Sequence, residues 1–154
     1  MSDLLEVKNL SVSFRTPQGE LEAVRDVSFS VRAGEVLAIV GESGCGKSVL
    51  CRSIMKLLPR DAWIKGGTVL ADGTDITAFG QREMERLRGR LFSMVLQDPM
   101  TALTPTIPIG KQIAEAVRVH QPRLSRQAVR RRVLELLELV GIDRPEDRYG
   151  RYPF

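Results

Sequence analysis

Apolar positions alternate along the first part of the chain and recur at helical spacing along its last part. Leu5 to Phe14 alternates and is rich in valine and leucine, which predicts a strand. Thr16-Pro17-Gln18-Gly19 predicts a turn, with proline setting φ and glycine free to take φ > 0. Leu21 to Val31 reads as one or two strands with Val27, Phe29 and Val31 on one face, and Ala33-Gly34-Glu35 as a tight turn. The apolar run Val36 to Val40 then predicts a buried strand, and Val49 to Leu58 a helix stopped by Pro59. Gly66-Gly67 introduces a short strand, Thr68 to Ala71, closed by the hairpin-type turn Asp72-Gly73.

A small helix is predicted around Arg82 to Arg88, with Met84, Leu87 and Leu91 at helical spacing, and a further strand over Leu91 to Leu96. Pro99, Pro105 and Pro108 make the stretch from Asp98 to Gly110 an extended loop. Ile109 to His120 predicts a helix that buries Ile113, Ala116 and Val117. The plainest helix is Ser125 to Val140: Val129, Val133, Leu136, Leu137 and Val140 share a stripe, Ser125 can cap its start, and Gly141 can close its end.

Between the Val36–Val40 run and the helix that follows lies Gly41-Glu42-Ser43-Gly44-Cys45-Gly46-Lys47-Ser48. The order strand, glycine loop, helix is the context in which G-x-x-x-x-G-K-[ST] reads as a phosphate-binding loop. Its glycines let the backbone bend around an anion with N–H groups turned inward. The helix start adds unpaired N–H groups and the positive end of a dipole. Lys47 would reach the β- and γ-phosphates of a nucleotide, and the Ser48 hydroxyl would sit on Mg²⁺. Among the two cysteines, Cys45 lies in the loop itself and is expected to be the more reactive.

Composition narrows the picture. The chain has 154 residues, one domain's worth, and 43% hydrophobic content is enough for a core. No run approaches the ~18 apolar residues of a membrane span, and the acidic start Met1-Ser2-Asp3-Leu4 lacks the pattern of a signal peptide. Cys45 and Cys51 suit neither a disulfide framework nor a zinc site, which fits a cytosolic, reducing compartment. The net charge of +4 lies between Arg118 and Arg151, where nine arginines face five acids. Such a segment suits nucleic acid or a membrane surface. The preferred reading is a solvated helix face, because Arg130, Arg131 and Arg132 alternate with apolar helix positions and no aromatic residues are interleaved to stack on bases. No nucleic-acid partner is expected. The shift after Gln97, from strand-rich to helical and arginine-rich, divides the chain into a nucleotide-binding core with an antiparallel β part, 1–97, and a helical continuation, 98–154.

The stretch Leu96-Gln97-Asp98-Pro99-Met100-Thr101-Ala102-Leu103-Thr104-Pro105 resembles the Q-loop of ABC-type ATPases. Its Asp-Pro-Met-Thr wording, the loop Val40-Gly41-Glu42-Ser43-Gly44, the helix start Lys47-Ser48-Val49 and the closing Tyr152-Pro153 are similar to the ATP-binding subunits of dipeptide, oligopeptide and nickel importers. Ala102, Thr104 and Phe154 stand where that family more often has serine, asparagine and histidine. The resemblance runs over essentially the whole chain. It implies an α/β fold, the P-loop NTPase of ABC-type nucleotide-binding domains, incomplete: an antiparallel β subdomain with the start of a RecA-like core and of the helical subdomain.

The same resemblance implies roles. Phe14 would stack on adenine; Gly41, Glu42, Ser43, Gly44, Cys45, Gly46, Lys47, Ser48 and Val49 would hold ATP. Lys47 and Gln97 would be catalytic, and Ser48 and Gln97 would contact Mg²⁺. Residues 98–119 would receive a transmembrane permease, and a second ATP-binding subunit would complete the site. The expected location is peripheral, on the cytoplasmic face of the inner membrane, with no transmembrane segment of its own. The Leu-Ser-Gly-Gly signature, the strand with the Mg²⁺ aspartate and catalytic glutamate, and the switch histidine of the family all lie after the Tyr-Pro position. The expectation is therefore the N-terminal part of a longer domain that binds ATP and does not hydrolyse it alone. A soluble ABC-type ATPase of DNA repair or translation and a small P-loop kinase are the alternatives. The first usually carries long insertions, and the second needs an arginine lid and an acid-ending strand.

Overall fold

The computed structural model describes residues 3–96, 98 and 102–154, which fall into two compact units, Met1–Phe92 and Ser93–Phe154. The first unit is built on an antiparallel sheet in the order β2-β1-β3-β4, from β1 Asp3–Thr16, β2 Gly19–Arg32, β3 Ala62–Ala71 and β4 Thr74–Asp75. Leu21–Val31 lies in one continuous strand, and the Pro17-Gln18 turn joins it to β1 in a long hairpin. Helix α1, Lys47–Ile54, and helix α2, Gln81–Leu87, pack on one face of the sheet. Leu50, Ile54 and Met84 are buried there with Val7, Leu10, Val12, Val24, Val69 and Ile76. Period-2 alternation supplies the sheet's apolar face, and the helical spacing of Leu50 and Ile54 supplies its cover.

Two apolar runs predicted as strands are not strands. Val36–Val40 is irregular, with Val36 and Val40 93% and 90% exposed. Leu91–Leu96 makes a single bridge, Arg88 to Phe92, and Val95 is 97% exposed. A strand exists only against a neighbour that takes its hydrogen bonds, and no strand among the described residues pairs with either run. Gly66-Gly67 lies within β3, not before it, where the register against β1 shifts. The turn Asp72-Gly73 holds both residues at positive φ (47° and 73°) and closes the β3–β4 hairpin as expected.

Helix α1 also stops short of Leu58, at Ile54. Lys56 takes φ 51°, the Leu57 amide donates to the Arg52 carbonyl (2.8 Å) and the Lys56 amide to that of Ser53 (3.0 Å). This closure ends the helix before Pro59 is reached. The Lys56 ammonium donates to the carbonyls of Thr77 and Phe79, and partial burial pushes its pKa below the usual lysine range. Arg88 adds donors to the Met55 and Lys56 carbonyls (2.9 and 3.0 Å by Nη2), placing a second cation at the helix's negative end.

The second unit holds α3 Ile109–His120, α4 Arg126–Leu139 and the short α5 Pro145–Tyr149. Its core is Ala114, Val129, Val133 and Leu137, with Ile109, Ile113, Val117 and Tyr149 packed against it. Ala116 is exposed and Ala114 takes the buried place, one position round from the predicted stripe. Ser125 Oγ caps the start of α4, accepting from the Ala128 amide at 3.2 Å, and Val140 is exposed at its C-cap, where the Ile142 N–H donates to the Leu137 carbonyl at 3.0 Å. Gly110 lies under the Tyr149 ring. A Cβ there would meet ring carbons at 2.4–2.6 Å, so only hydrogen fits. The Ile109 amide donates to the Arg151 carbonyl (2.8 Å), clasping the start of α3 to the 149–151 segment.

Gly110→Ala is therefore expected to destabilise the second unit by about 1–3 kcal/mol, the usual cost of overpacking. Gly150→Ala, which adds a Cβ to open space, should be nearly neutral. Urea unfolding followed by circular dichroism of the two variants checks the contrast.

Candidate functional site

The loop from Gly41 to Ser48 is seated on β2 by a local irregularity in the sheet. Val12 faces Val24, yet Ser13 faces Glu22, so Ala23 is the extra residue of a β-bulge. The Ala23 carbonyl points at Gly46. A Cβ on Gly46 would lie 2.4 Å from that oxygen, and Gly46 itself is at φ 95°. Both the space and the backbone conformation require glycine.

Helix α1 begins at the next residue. No side chain caps it, and Gly46 serves as N-cap through its carbonyl, which accepts from the Leu50 amide (2.9 Å). The first-turn amides of Lys47, Ser48 and Val49 thus have no intrahelical acceptor, and they face the loop as an anion-ready helix start. Ser48 is exposed in that turn, while Val49 is half-buried against the sheet core and orients the turn. Glu42, Ser43, Gly44 and Cys45 form the exposed rim of the loop, where the Cys45 amide donates to the Glu42 carbonyl at 3.4 Å.

Lys47 folds back over this rim. Its Nζ donates to the carbonyls of Gly41 (2.8 Å) and Glu42 (2.6 Å) and lies 3.4 Å from Cys45 Sγ. Neutral carbonyls are weaker partners for an ammonium than phosphate oxygens, so the cation is held at the loop and remains exchangeable onto an anion. Beside it runs a cleft of about 400 Å³ between β2 and the loop, lined in part by Ala23, Val24, Gly46, Lys47 and Leu50. Glu22 is the one carboxylate in that lining, and it pairs with Arg25 at 3.6 Å.

The loop residues Gly41 to Val49 therefore come together as one unit. Phe14 does not line the cleft: it is half-buried in β1, paired with Leu21 on one side and Ala62 on the other. Gln97 lies outside the described residues. Two residues that the sequence does not single out also shape this chain's candidate surfaces. Ala23 is invisible there because a bulge leaves no compositional mark in an alternating strand. Gln112 reads as an ordinary polar helix position. Its amide nitrogen donates to the carbonyls of Thr104 (2.9 Å) and Ile107 (2.7 Å), and its oxygen accepts from the Thr104 amide (2.8 Å), stapling the proline loop to α3. The prolines around it are the available signal, since their loop lacks a ladder of its own.

The sequence profile of the ABC transporter family matches residues 24–153. The chain belongs to that family. It is 48% identical over 151 residues to the oligopeptide transport ATP-binding protein OppD of Bacillus subtilis (strain 168), covering 97% of this chain and 42% of that protein. It is also 48% identical over 154 residues to the dipeptide transport ATP-binding protein DppD of the same organism, covering 99% and 46%. The chain thus spans less than half the length of these ABC relatives. Among solved structures it resembles a dimeric ATP-binding cassette in a post-hydrolysis state bound to ADP and Pi, with a TM-score of 0.77 at 21% identity, covering 97% of this chain and 61% of that one. The fold is accordingly that of an ABC cassette, of which this chain carries a part.

Gly46→Ala is expected to disrupt the loop more than Gly44→Ala, because Gly44 (φ 82°) has open space where its Cβ would go and Gly46 has the Ala23 carbonyl. Titration with a fluorescent ATP analogue should show binding abolished in the first variant and weakened in the second. Cys45 is exposed and Cys51 half-buried, so alkylation should reach Cys45 first, with Mg-ATP slowing it. Equal rates that nucleotide does not change would contradict the loop assignment.

Proposed function

We propose that this chain is the nucleotide-binding portion of the ATP-hydrolysing subunit of a peptide-type ABC importer. The observation that carries this reading is the Gly41–Ser48 loop on an uncapped helix start, in a chain nearly half identical to peptide-transport ATP-binding proteins over almost its full length. Residues 1–97 act as the nucleotide core and 98–154 as the helical continuation.

The donor set fits ATP: a loop whose Gly46 is seated on the Ala23 carbonyl, open first-turn amides and an exchangeable ammonium. Bound ATP supplies a γ-phosphoryl group for transfer to water. The amides of the loop and α1 bind its phosphates, Lys47 neutralises their charge, and the Ser48 hydroxyl is a ligand for the accompanying Mg²⁺. Gln97 would contact Mg²⁺ and the attacking water; the adenine-stacking role implied for Phe14 would need the base to reach the edge of β1 beyond the cleft, since Phe14 does not line it. Such chemistry is mostly positioning and charge neutralisation. Glu22, the one carboxylate lining the cleft among the described residues, is engaged by Arg25. Hydrolysis requires groups from the rest of the subunit and from a second ATP-binding subunit, identical or different, closing over the phosphates.

Residues 98–119 receive the permease. Gln112 supports this, because its three hydrogen bonds make the loop at 104–107 and α3 one piece, a surface that can receive a partner as a unit. No helix among the described residues is long and apolar enough to cross a membrane; in this reading the chain sits peripherally, on the cytoplasmic face, through its permease.

A steady-state ATPase assay beside Lys47→Ala tests the core of this reading. The expected result is Lys47-dependent ATP binding with turnover well below about 1 s⁻¹, the low end of ordinary enzyme rates. In the full-length subunit, cysteine pairs between residues 102–119 and a permease cytoplasmic loop should cross-link. Crosslinks that instead map to β1 and β2 would contradict the permease assignment.

A further inference from the structure

Outside the nucleotide loop, a group of cations lies on the seam between α3 and α4. Lys111, Glu115 and Arg118 of α3 and Arg126, Gln127 and Arg130 of α4 line a cleft of about 860 Å³, floored by Ala114 and closed by Tyr149. Helical spacing puts 111, 115 and 118 on one face of α3, and 126, 127 and 130 on one face of α4. The sequence spreads these four cations over twenty residues; the fold gathers them.

Elsewhere in this unit three arginines are paired, whereas Arg123, Arg148 and Arg151 are scattered singly outside the cleft. Arg131 and Arg132 contact Glu135, and Arg144 contacts Asp147. Among the described residues Lys111, Arg118, Arg126 and Arg130 form no ion pair, and Glu115 is the one carboxylate in the cleft. Four like charges around one opening raise its potential and draw in anions. Arg130 is also held in place: its guanidinium lies 5.4 Å from the centre of the Tyr149 ring, and that ring is seated on Gly110. A fixed guanidinium fork suits phosphate oxygens, which it can bind with two donors at once.

We propose that this cleft docks the phosphate-bearing headgroups of an anionic membrane surface. The membrane setting rests on the function proposed above, with the α4-facing side of α3 meeting lipid beside the permease that the rest of 98–119 receives; the charge arrangement does not rest on it. An acidic peptide fits less well, since the cleft offers helices with satisfied backbones and one aromatic ring, with neither a strand edge nor an apolar anchor pocket. A nucleic acid would need stacking side chains beyond Tyr149.

The test is co-sedimentation of the whole chain with vesicles of phosphatidylglycerol and phosphatidylcholine, or of phosphatidylcholine alone, at low and high salt. Binding should require the anionic lipid and fall with salt. The variant Lys111→Gln/Arg118→Gln/Arg126→Gln should bind about tenfold to a hundredfold more weakly. Arg123→Gln/Arg131→Gln/Arg132→Gln removes the same net charge outside the cleft and should lose much less. Glu115→Gln should bind more tightly, a gain that misfolding does not produce. No binding to anionic vesicles, or equal loss in the two triple variants, would overturn the proposal. So would saturable binding of pyrophosphate without vesicle binding, which would make this a site for a free anion. Lys47-dependent ATP binding, measured on the same samples, reports separately on the nucleotide reading.

Discussion

Everything proposed for the nucleotide loop depends on one close approach, that of Gly46 to the Ala23 carbonyl. The bulge in β2 pushes that carbonyl out of the ladder, and Gly46 meets it where any Cβ would clash at 2.4 Å. This contact fixes the residue from which α1 starts, and hence where the open amides of Lys47, Ser48 and Val49 lie. It also fixes Lys47 over the loop carbonyls. The antiparallel sheet thereby does more than form a core: its irregularity sets the geometry of an anion-binding helix start.

Much of this is legible in the order of residues. The glycine loop, the strand-rich first part, the full span of α3 and the capped ends of α4 follow from local chemistry: turn residues, helical spacing, Ser125 and Gly141. Expectation and fold part where local chemistry does not decide. Val36–Val40 and Leu91–Leu96 have strand composition, yet a strand is defined by its neighbour, and none of the described strands flanks them. Lys56 has no compositional mark of a helix stop, and it serves because its ammonium finds the carbonyls of Thr77 and Phe79. Ala114 rather than Ala116 is buried because α4 and Tyr149 set which side of α3 is covered.

In the second unit the same lesson applies to function. A run of arginines along α4 reads as a solvated face, and for Arg131 and Arg132, paired with Glu135, it is one. The arginines that matter are distinguished by what α3 brings beside them, which spacing along a single helix does not reveal. Tyr149 links the two themes: it packs on Gly110 to hold the unit together and it carries Arg130 at the mouth of the basic cleft.

Whether nucleotide binds at the loop seated on Ala23 is decided by mapping backbone amide shifts of the ¹⁵N-labelled chain during titration with Mg-ATP. The largest changes should fall on Gly41 to Val49, with Ala23 and Val24 following because Gly46 packs against them. Changes centred on α3 and α4, with the loop amides unmoved, would contradict binding at the loop.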